Sequence, residues 1–315
     1  MVDIPDETME SRSLIQTTKK KKAGNDFKRK MVPFLMIAPV QILLVALLFL
    51  PVLYTLWLSF YSYTFGKPMT YVGLDNYIGI FTDKHFQLSL IRNIVFVNIV
   101  VYGELFIGLG MAVFFIGKVP FKKLMISIIM APYAVSNVLG VLMWRYVLEP
   151  DIGMLNKLFM SLNLPQFLWT MIPEHAFVMV VLIAIWLQVP FTFLILYNAI
   201  LGIPPELFEA AKVDGASSVQ IFGRITIPVI MPAILISLLF RYIFAFRTFG
   251  EVWILTKGGP FRSTELLSIY LYKTGFVYFE FGVASAVAWV MIFITLLIAA
   301  YYFRIMYKRM FSNEY

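Results

Sequence analysis

Between Lys30 and Lys67 the chain carries no Asp, Glu, Lys or Arg. Three more such stretches lie between Lys123 and Arg145, between Glu174 and Glu206, and between Glu280 and Arg304. A helix needs about 20 mostly apolar residues to cross the hydrocarbon core of a bilayer, and each stretch can supply one. Two further apolar runs hold a charge inside: Ile91 to Ile116 around Glu104, and Pro228 to Phe246 around Arg241. The pattern predicts an all-α, polytopic membrane bundle of six transmembrane helices, at roughly 34–59, 91–116, 122–147, 176–198, 228–247 and 281–304. Strands of a membrane barrel alternate polar and apolar residues over about 10 positions, and these runs are solidly apolar. The first run is longer than a signal-peptide core and comes after some 30 polar residues, so it reads as a span and not as a cleaved leader.

Composition agrees. Hydrophobic residues make up 60% and charged residues 14%, against about 45–50% and about 25% in soluble domains. A water-soluble enzyme could not cover its surface with so few charges. No cysteine is present, which removes disulfides, thiolate chemistry and cysteine-based metal sites. His85 and His175 stand at no metal-ligand spacing, so no metal site is expected.

Lys and Arg set orientation, being retained on the cytoplasmic side. With six spans, the tail, the 118–123 turn, the 199–227 loop and the C-terminal end fall on one side and hold 16 of them, against 8 on the other. Both termini are therefore expected in the cytoplasm. The chain then divides into a basic cytoplasmic tail over 1–33, a transmembrane domain over 34–310 and a cytoplasmic end over 311–315. The tail is expected to stay mobile. Its Lys19–Lys22 run can meet anionic lipid, or can serve simply as a positive-inside anchor.

The cytoplasmic segment 199–228 reads AILGIPPELFEAAKVDGASSVQIFGRITIP. Most connections are far shorter. Pro204 and Pro205 suit a helix start, where a missing N–H costs nothing. Glu206 and Glu209 favour the positive end of that helix. Gly215 can supply a left-handed stop after Asp214. Ser217 and Gln220 stand at capping-box spacing for a second short helix, and Pro228 marks the return to the membrane. Small Ala210 and Ala211 permit close approach by a partner, as a helix set into a protein groove requires. The bland alternative is a helix lying on lipid, but the exposed face is small and acidic rather than bulky and basic.

The string EAAKVDGASSVQIFGRITIP (209–228) resembles the EAA signature of binding-protein-dependent ABC importer permeases. Glu209, Ala210 and Ala211 precede Gly215 at the signature's spacing. Ile225 follows after nine intervening residues and Pro228 closes the motif, with Ile227 in place of the usual Leu. YVGLDNYIGIF (71–81), WRYVLEPDIGMLN (144–156) and ILTKGGPFRSTELLSIYLY (254–272) resemble segments of the carbohydrate-uptake, maltose-type branch. The resemblance implies a multi-pass permease of the cell (inner) membrane that imports a sugar or oligosaccharide. It implies that Glu209, Ala210, Ala211, Asp214 and Gly215 form a coupling helix set in a cleft of a cytoplasmic ATPase. It further implies a second homologous permease, two ATPase subunits and an extracytoplasmic solute-binding protein as partners, beside membrane lipid and with no nucleic acid.

The chain has no G-x-x-x-x-G-K-[ST] phosphate loop. It should bind no cofactor of its own, and ATP and Mg should be used by the partner ATPase. No Ser/His/Asp, Cys/His or paired-carboxylate arrangement reads as catalytic, which counts against a membrane enzyme. Polar groups inside spans tend to face a cavity or a partner. Ser136, Asn137, Gln188, Glu104 and Arg241 lie at similar depth in their runs. Transported solutes commonly bind near the midplane, and sugars take neutral hydrogen-bonding groups with aromatic faces. Asn137, Trp186, Gln188, Tyr197 and Asn198 offer both and are the candidate pathway residues; the alternative for each is an interhelical hydrogen bond. Glu104 and Arg241 are expected to pair with each other or with the partner permease. Arg247 and Glu251, near the outer end of the fifth run, are candidate gate or docking residues. A competing reading is an ion-driven secondary transporter of a small polar solute, using Glu104 or Arg241 as a relay.

Overall fold

In a computed structural model, the chain is described over residues 7–311, with side chains described from residue 33 to residue 308. It divides into two units, Met1–Trp57 and Leu58–Tyr315. The first holds helix α1 (Glu7–Leu58), which contains Pro33, Pro39 and Pro51. Its membrane-length part is apolar on every side, and Phe34, Leu43, Leu47 and Leu53 are all exposed. That is the surface of a helix solvated by hydrocarbon. The backbone is helical from Glu7 onward, where the charge pattern leads one to expect mobile chain. Residues 7–31 contain no proline and are rich in Lys, Glu, Met and Arg, all good helix formers. The Lys19–Lys22 side chains lie outside the described ones.

The second unit opens with a two-stranded antiparallel hairpin, β1 (Tyr61–Ser62) and β2 (Thr70–Tyr71), with Tyr61 opposite Tyr71. Helix α2 (Asp75–Thr82) comes next, then α3 (Lys84–Phe114), α4 (Lys122–Ala134), α5 (Asn137–Val147), α6 (Met154–Ser161) and α7 (Pro173–Leu201). The chain continues through α8 (Pro205–Val213), α9 (Ser218–Ile221), α10 (Ile227–Ala245), α11 (Gly250–Leu255), α12 (Leu267–Tyr272) and α13 (Phe281–Phe311). Among the described residues, five helices are long and apolar enough to cross a membrane, or six if the bent pair α4–α5 counts as one span.

The bent pair departs from the single straight span expected over 122–147. Its two helices meet at 98°. Val135 and Ser136 between them are extended, with ψ of 144° and 134°. Pro132 sits just before the break and removes a backbone donor from that turn. No charge marks the break, so hydropathy passes over it.

Helices α3 and α7 form the spine. Phe96, Val97, Val100 and Val101 of α3 and Val180, Ile183, Ala184 and Leu187 of α7 are buried in one apolar cluster. The outward residues of α3, such as Ile91, Ile94 and Phe106, are exposed and equally apolar. The helices touch closely where a side chain is missing. A Cβ on Gly108 would stand 3.0 Å from the backbone nitrogen of Phe193 and 3.0 Å from Thr192 Cγ2. Helix α10 packs on α3, α7 and α13.

At one end of the unit, Asn76 donates to the carbonyls of Ser59 at 2.8 Å and Tyr61 at 2.9 Å, tying α2 to the hairpin. The 254–272 segment folds into a tight corner. Thr256 and Thr264 share a hydrogen bond of 2.7 Å, and Thr264 also donates to the Gly259 carbonyl at 2.8 Å. Buried Glu265 accepts from Lys273 and sits 3.5 Å from Arg262.

Candidate functional site

The segment after α7 is built from local rules. Ile203 is buried and anchors it. Pro204 caps α8 and Pro205 opens it. At its end, the Gly215 N–H donates to the Lys212 carbonyl at 3.0 Å and the Ala216 N–H donates to the Ala211 carbonyl at 2.9 Å. This is a Schellman stop, and Gly215 has the φ of +75° that such a stop needs. Ser217 Oγ accepts from the Gln220 N–H at 3.3 Å, and the Gln220 side chain accepts from the Ser217 N–H at 2.8 Å. Both arms of the capping box are therefore made. Helix α8 buries no side chain. Glu209, Ala210, Asp214 and Gly215 are exposed and Ala211 is half-buried, while apolar Val213 is 88% exposed.

Beyond this corner the chain departs from the second short helix and fresh membrane entry expected at Pro228. Helix α9 passes through one π-helical turn, Phe222–Thr226, straight into α10. Ser218–Ala245 is one apolar helix of 28 residues. The wide turn accommodates Pro228, whose missing N–H would interrupt a regular α-helix, as π-bulges do elsewhere. The exposed corner thus leads directly into a rod of 28 residues.

Further along that rod, Arg241 reaches Glu104 of α3. Its Nε and Nη2 both donate to the carboxylate, the latter at 2.7 Å, and Nη1 donates to Gln188 Oε1 of α7 at 3.1 Å. Glu104 is fully buried and Arg241 nearly so. Of the two partners expected for these charges, the chain supplies the internal one. Tyr242 next to it donates to Asn98 Oδ1 of α3 at 2.7 Å.

Beside this triad lies a cavity of about 680 Å³. Ser136 and Asn137 line it from the α4–α5 break, Gln188 from α7, and Arg241, Arg247, Thr248 and Glu251 from the end of α10 and the start of α11. Tyr133, Phe191, Phe244 and Phe249 add aromatic walls. The candidate pathway residues Asn137 and Gln188 thus line one cavity, and the gate or docking candidates Arg247 and Glu251 line it too. Trp186, Tyr197 and Asn198 are not in this lining. Trp186 packs edge-on against Trp144 at 5.6 Å. Tyr197 stacks on Phe193 at 5.4 Å, under the Lys122 ammonium at 5.3 Å. Asn198 turns its amide back to the Leu194 carbonyl at 2.8 Å. The four aromatic wall residues were missed because sequence gives depth along a helix but not its rotation. Among the described residues no cluster of His, Asp or Glu could hold a metal ion.

A profile of the family described as the binding-protein-dependent transport system inner membrane component matches residues 104–311. The chain belongs to that family. As an inner-membrane transport component it is a multi-pass membrane protein, with the apolar helices that role requires. It is 31% identical over 285 residues to the sulfoquinovosyl glycerol transport system permease protein of Agrobacterium fabrum, covering 89% of this chain and 92% of that protein. It is 29% identical over 266 residues to the trehalose/maltose transport system permease protein of Thermococcus litoralis, covering 83% and 89%. Its fold matches a chain of a bacterial ABC transporter involved in import of the acidic polysaccharide alginate. The TM-score is 0.81 at 21% identity, covering 91% of this chain and 99% of that one.

Proposed function

We propose that this chain is the membrane-spanning permease subunit of an ATP-driven ABC importer of a sugar or oligosaccharide, with six spans and both termini in the cytoplasm. The observation that carries the reading is the exposed α8 corner leading through the Gly215 turn into the continuous Ser218–Ala245 rod, which holds Arg241 beside a polar, aromatic-walled cavity. In this reading Glu209, Ala210, Ala211, Asp214 and Gly215 dock in an ATPase cleft. Closure of two ATPase subunits around ATP and Mg pushes α8, and the rod carries that push to the cavity, which lies on the translocation pathway. A second homologous permease completes the pathway and an extracytoplasmic binding protein delivers the solute. The chain itself hydrolyses no ATP and binds no cofactor.

Sugar transport is supported by the functions named for the relatives in Agrobacterium and Thermococcus. A binding-protein partner is supported by an alginate transporter of the same fold solved with its substrate-loaded periplasmic protein. The Glu104–Arg241 pair weighs against an ion-driven relay, since each charge already has a partner.

The natural chain has no cysteine, so Ala210→Cys creates a unique thiol on α8. A short crosslinker at that position should capture a nucleotide-binding ATPase in membranes of the native host. Glu209→Lys should abolish uptake and transport-stimulated ATP hydrolysis at normal expression. Capture of lipid alone, or normal uptake by Glu209→Lys, would sink the coupling role.

A further inference from the structure

Two charged groups line the cavity without an ion-pair partner among the described residues: Arg247 and Glu251. They stand four positions apart, a spacing that pairs charges on an intact helix. Here the helix breaks between them, with Phe249 at φ −131°, and the pair is not made. Arg247 is exposed and rests against the Phe244 ring at 5.9 Å. Glu251 is buried to 8% exposure. The third charge in the lining, Arg241, is matched by Glu104. With Glu251 ionised, this chain's wall of the cavity is neutral in sum, and it offers one guanidinium and one carboxylate that no ion pair among the described residues engages.

Such a wall constrains its ligand. A guanidinium only donates hydrogen bonds and a carboxylate only accepts them. A ligand bearing an acid group would pair with Arg247 and be repelled by Glu251, and an amino sugar would meet the reverse. Away from bulk water neither imbalance is screened well. Hydroxyl groups both donate and accept, so a polyol satisfies the two ends at once and leaves the net charge unchanged. Ser136, Asn137, Gln188 and Thr248 offer further neutral partners. The Tyr133, Phe191, Phe244 and Phe249 rings offer apolar faces for the C–H side of a pyranose. The volume of about 680 Å³ suits a small-molecule site.

We propose that this cavity selects an uncharged saccharide, with Arg247 and Glu251 as the specificity-determining pair that reads its hydroxyls and rejects uronic, sulfonated and amino sugars. The inference rests on the reading of the cavity as part of the translocation pathway.

The test uses the intact transporter, purified with its natural partners through a tag on this chain. Ser136→Cys places this chain's single thiol in the cavity, and the same complex without that substitution gives the background from its partners. Its rates with an anionic sulfonatoethyl and a cationic trimethylammonioethyl methanethiosulfonate are each divided by the rate with free cysteine. The two normalised rates should agree within about threefold. Glu251→Gln should raise the anionic rate relative to the cationic one by about fivefold or more, and Arg247→Gln should lower it as much, as removal of a nearby unit charge requires. An unmodified cavity favouring either reagent by more than about tenfold, or no shift in both variants, overturns the proposal. In a second arm, the same complex in liposomes is offered a panel of neutral, uronic and amino oligosaccharides. Transport of neutral members, lost in both variants, supports the proposal, and transport of an acidic or basic member in preference overturns it. If no saccharide of any charge is taken up, sugar import itself fails, and the reagent ratio still decides the charge of the cavity.

Discussion

At the scale of single residues, the triad of Glu104, Arg241 and Gln188 shows what a charge inside a membrane helix is for. Either charge alone would cost several kcal/mol of desolvation, and the pair is tolerated because each answers the other. Glu104→Gln should therefore destabilise the detergent-purified protein by about 3–5 kcal/mol, the cost of stranding a buried charge. A Glu104→Met, Arg241→Met double variant should recover most of that loss in the same thermal unfolding measurement. Asp83 makes a milder case at the start of α3, outside the spans. Burial pushes its carboxyl upward, but the Tyr270 hydroxyl at 2.6 Å and the His85 amide at 2.9 Å outweigh that and hold it below the ordinary aspartate value. A lowered native pKa gives stability that is present above the unfolded value and is lost as pH falls through the native one. The wild type should lose about 1 kcal/mol in that acid window, a discounted value for a partly solvated pair. Asp83→Asn should lack the step in unfolding scans across the same range. Glu104 and Arg241 were legible in the sequence because each interrupts an apolar run. The cavity aromatics were not, because Phe191 and Phe244 look like any other apolar residue of their helices.

At the scale of elements, turn chemistry was more legible than helix continuity. Gly215 and the Ser217–Gln220 box announce their geometry through residue type and spacing alone. The unbroken passage from α9 to α10 does not, since Pro228 reads as a boundary until a π turn is seen to absorb it. The α4–α5 break is hidden for the opposite reason, because extended backbone at Val135 and Ser136 leaves no mark in an apolar run. Ser217→Ala should cost the corner about 1 kcal/mol, seen as faster amide exchange over residues 218–222 with no change in the spans. The α3–α7 contact offers a paired test. Gly108→Ala must push against the Phe193 backbone and should destabilise by about 1–3 kcal/mol. Gly110→Ala on the same helix meets nothing within 4 Å and should be neutral or stabilising by up to about 1 kcal/mol. Equal gains at both sites would mean that helix propensity, not close packing, controls this interface.

At the scale of the whole molecule, the second unit solves two solvent problems with one helix. Hydrocarbon removes the usual penalty for exposing Ile94, Val95 or Phe106, so the lipid-facing surface carries little positional information. Specific structure is concentrated where polar groups must find partners away from water. Three of those partnerships fall on α10: Arg241 with Glu104 and Gln188, Tyr242 with Asn98, and Ser237 with Thr192 at 3.5 Å. The same helix continues to the α8 corner. A force on α8 thus meets a rod whose far part is held to both spine helices by directional bonds, and it must move them as a body or break those bonds. Stiffness between corner and triad is then essential to the proposed coupling, and it can be removed without touching either end. Ile221→Gly with Phe222→Gly should leave the ion pair, the corner and basal ATP hydrolysis intact, while lowering uptake at least about tenfold, since each glycine costs the helix about 1 kcal/mol and frees its backbone. The measurement is uptake and ATP hydrolysis by the same liposomes. If uptake stays within twofold of the wild type, the push reaches the cavity by another route, and the continuity of α9 with α10 is a matter of folding alone.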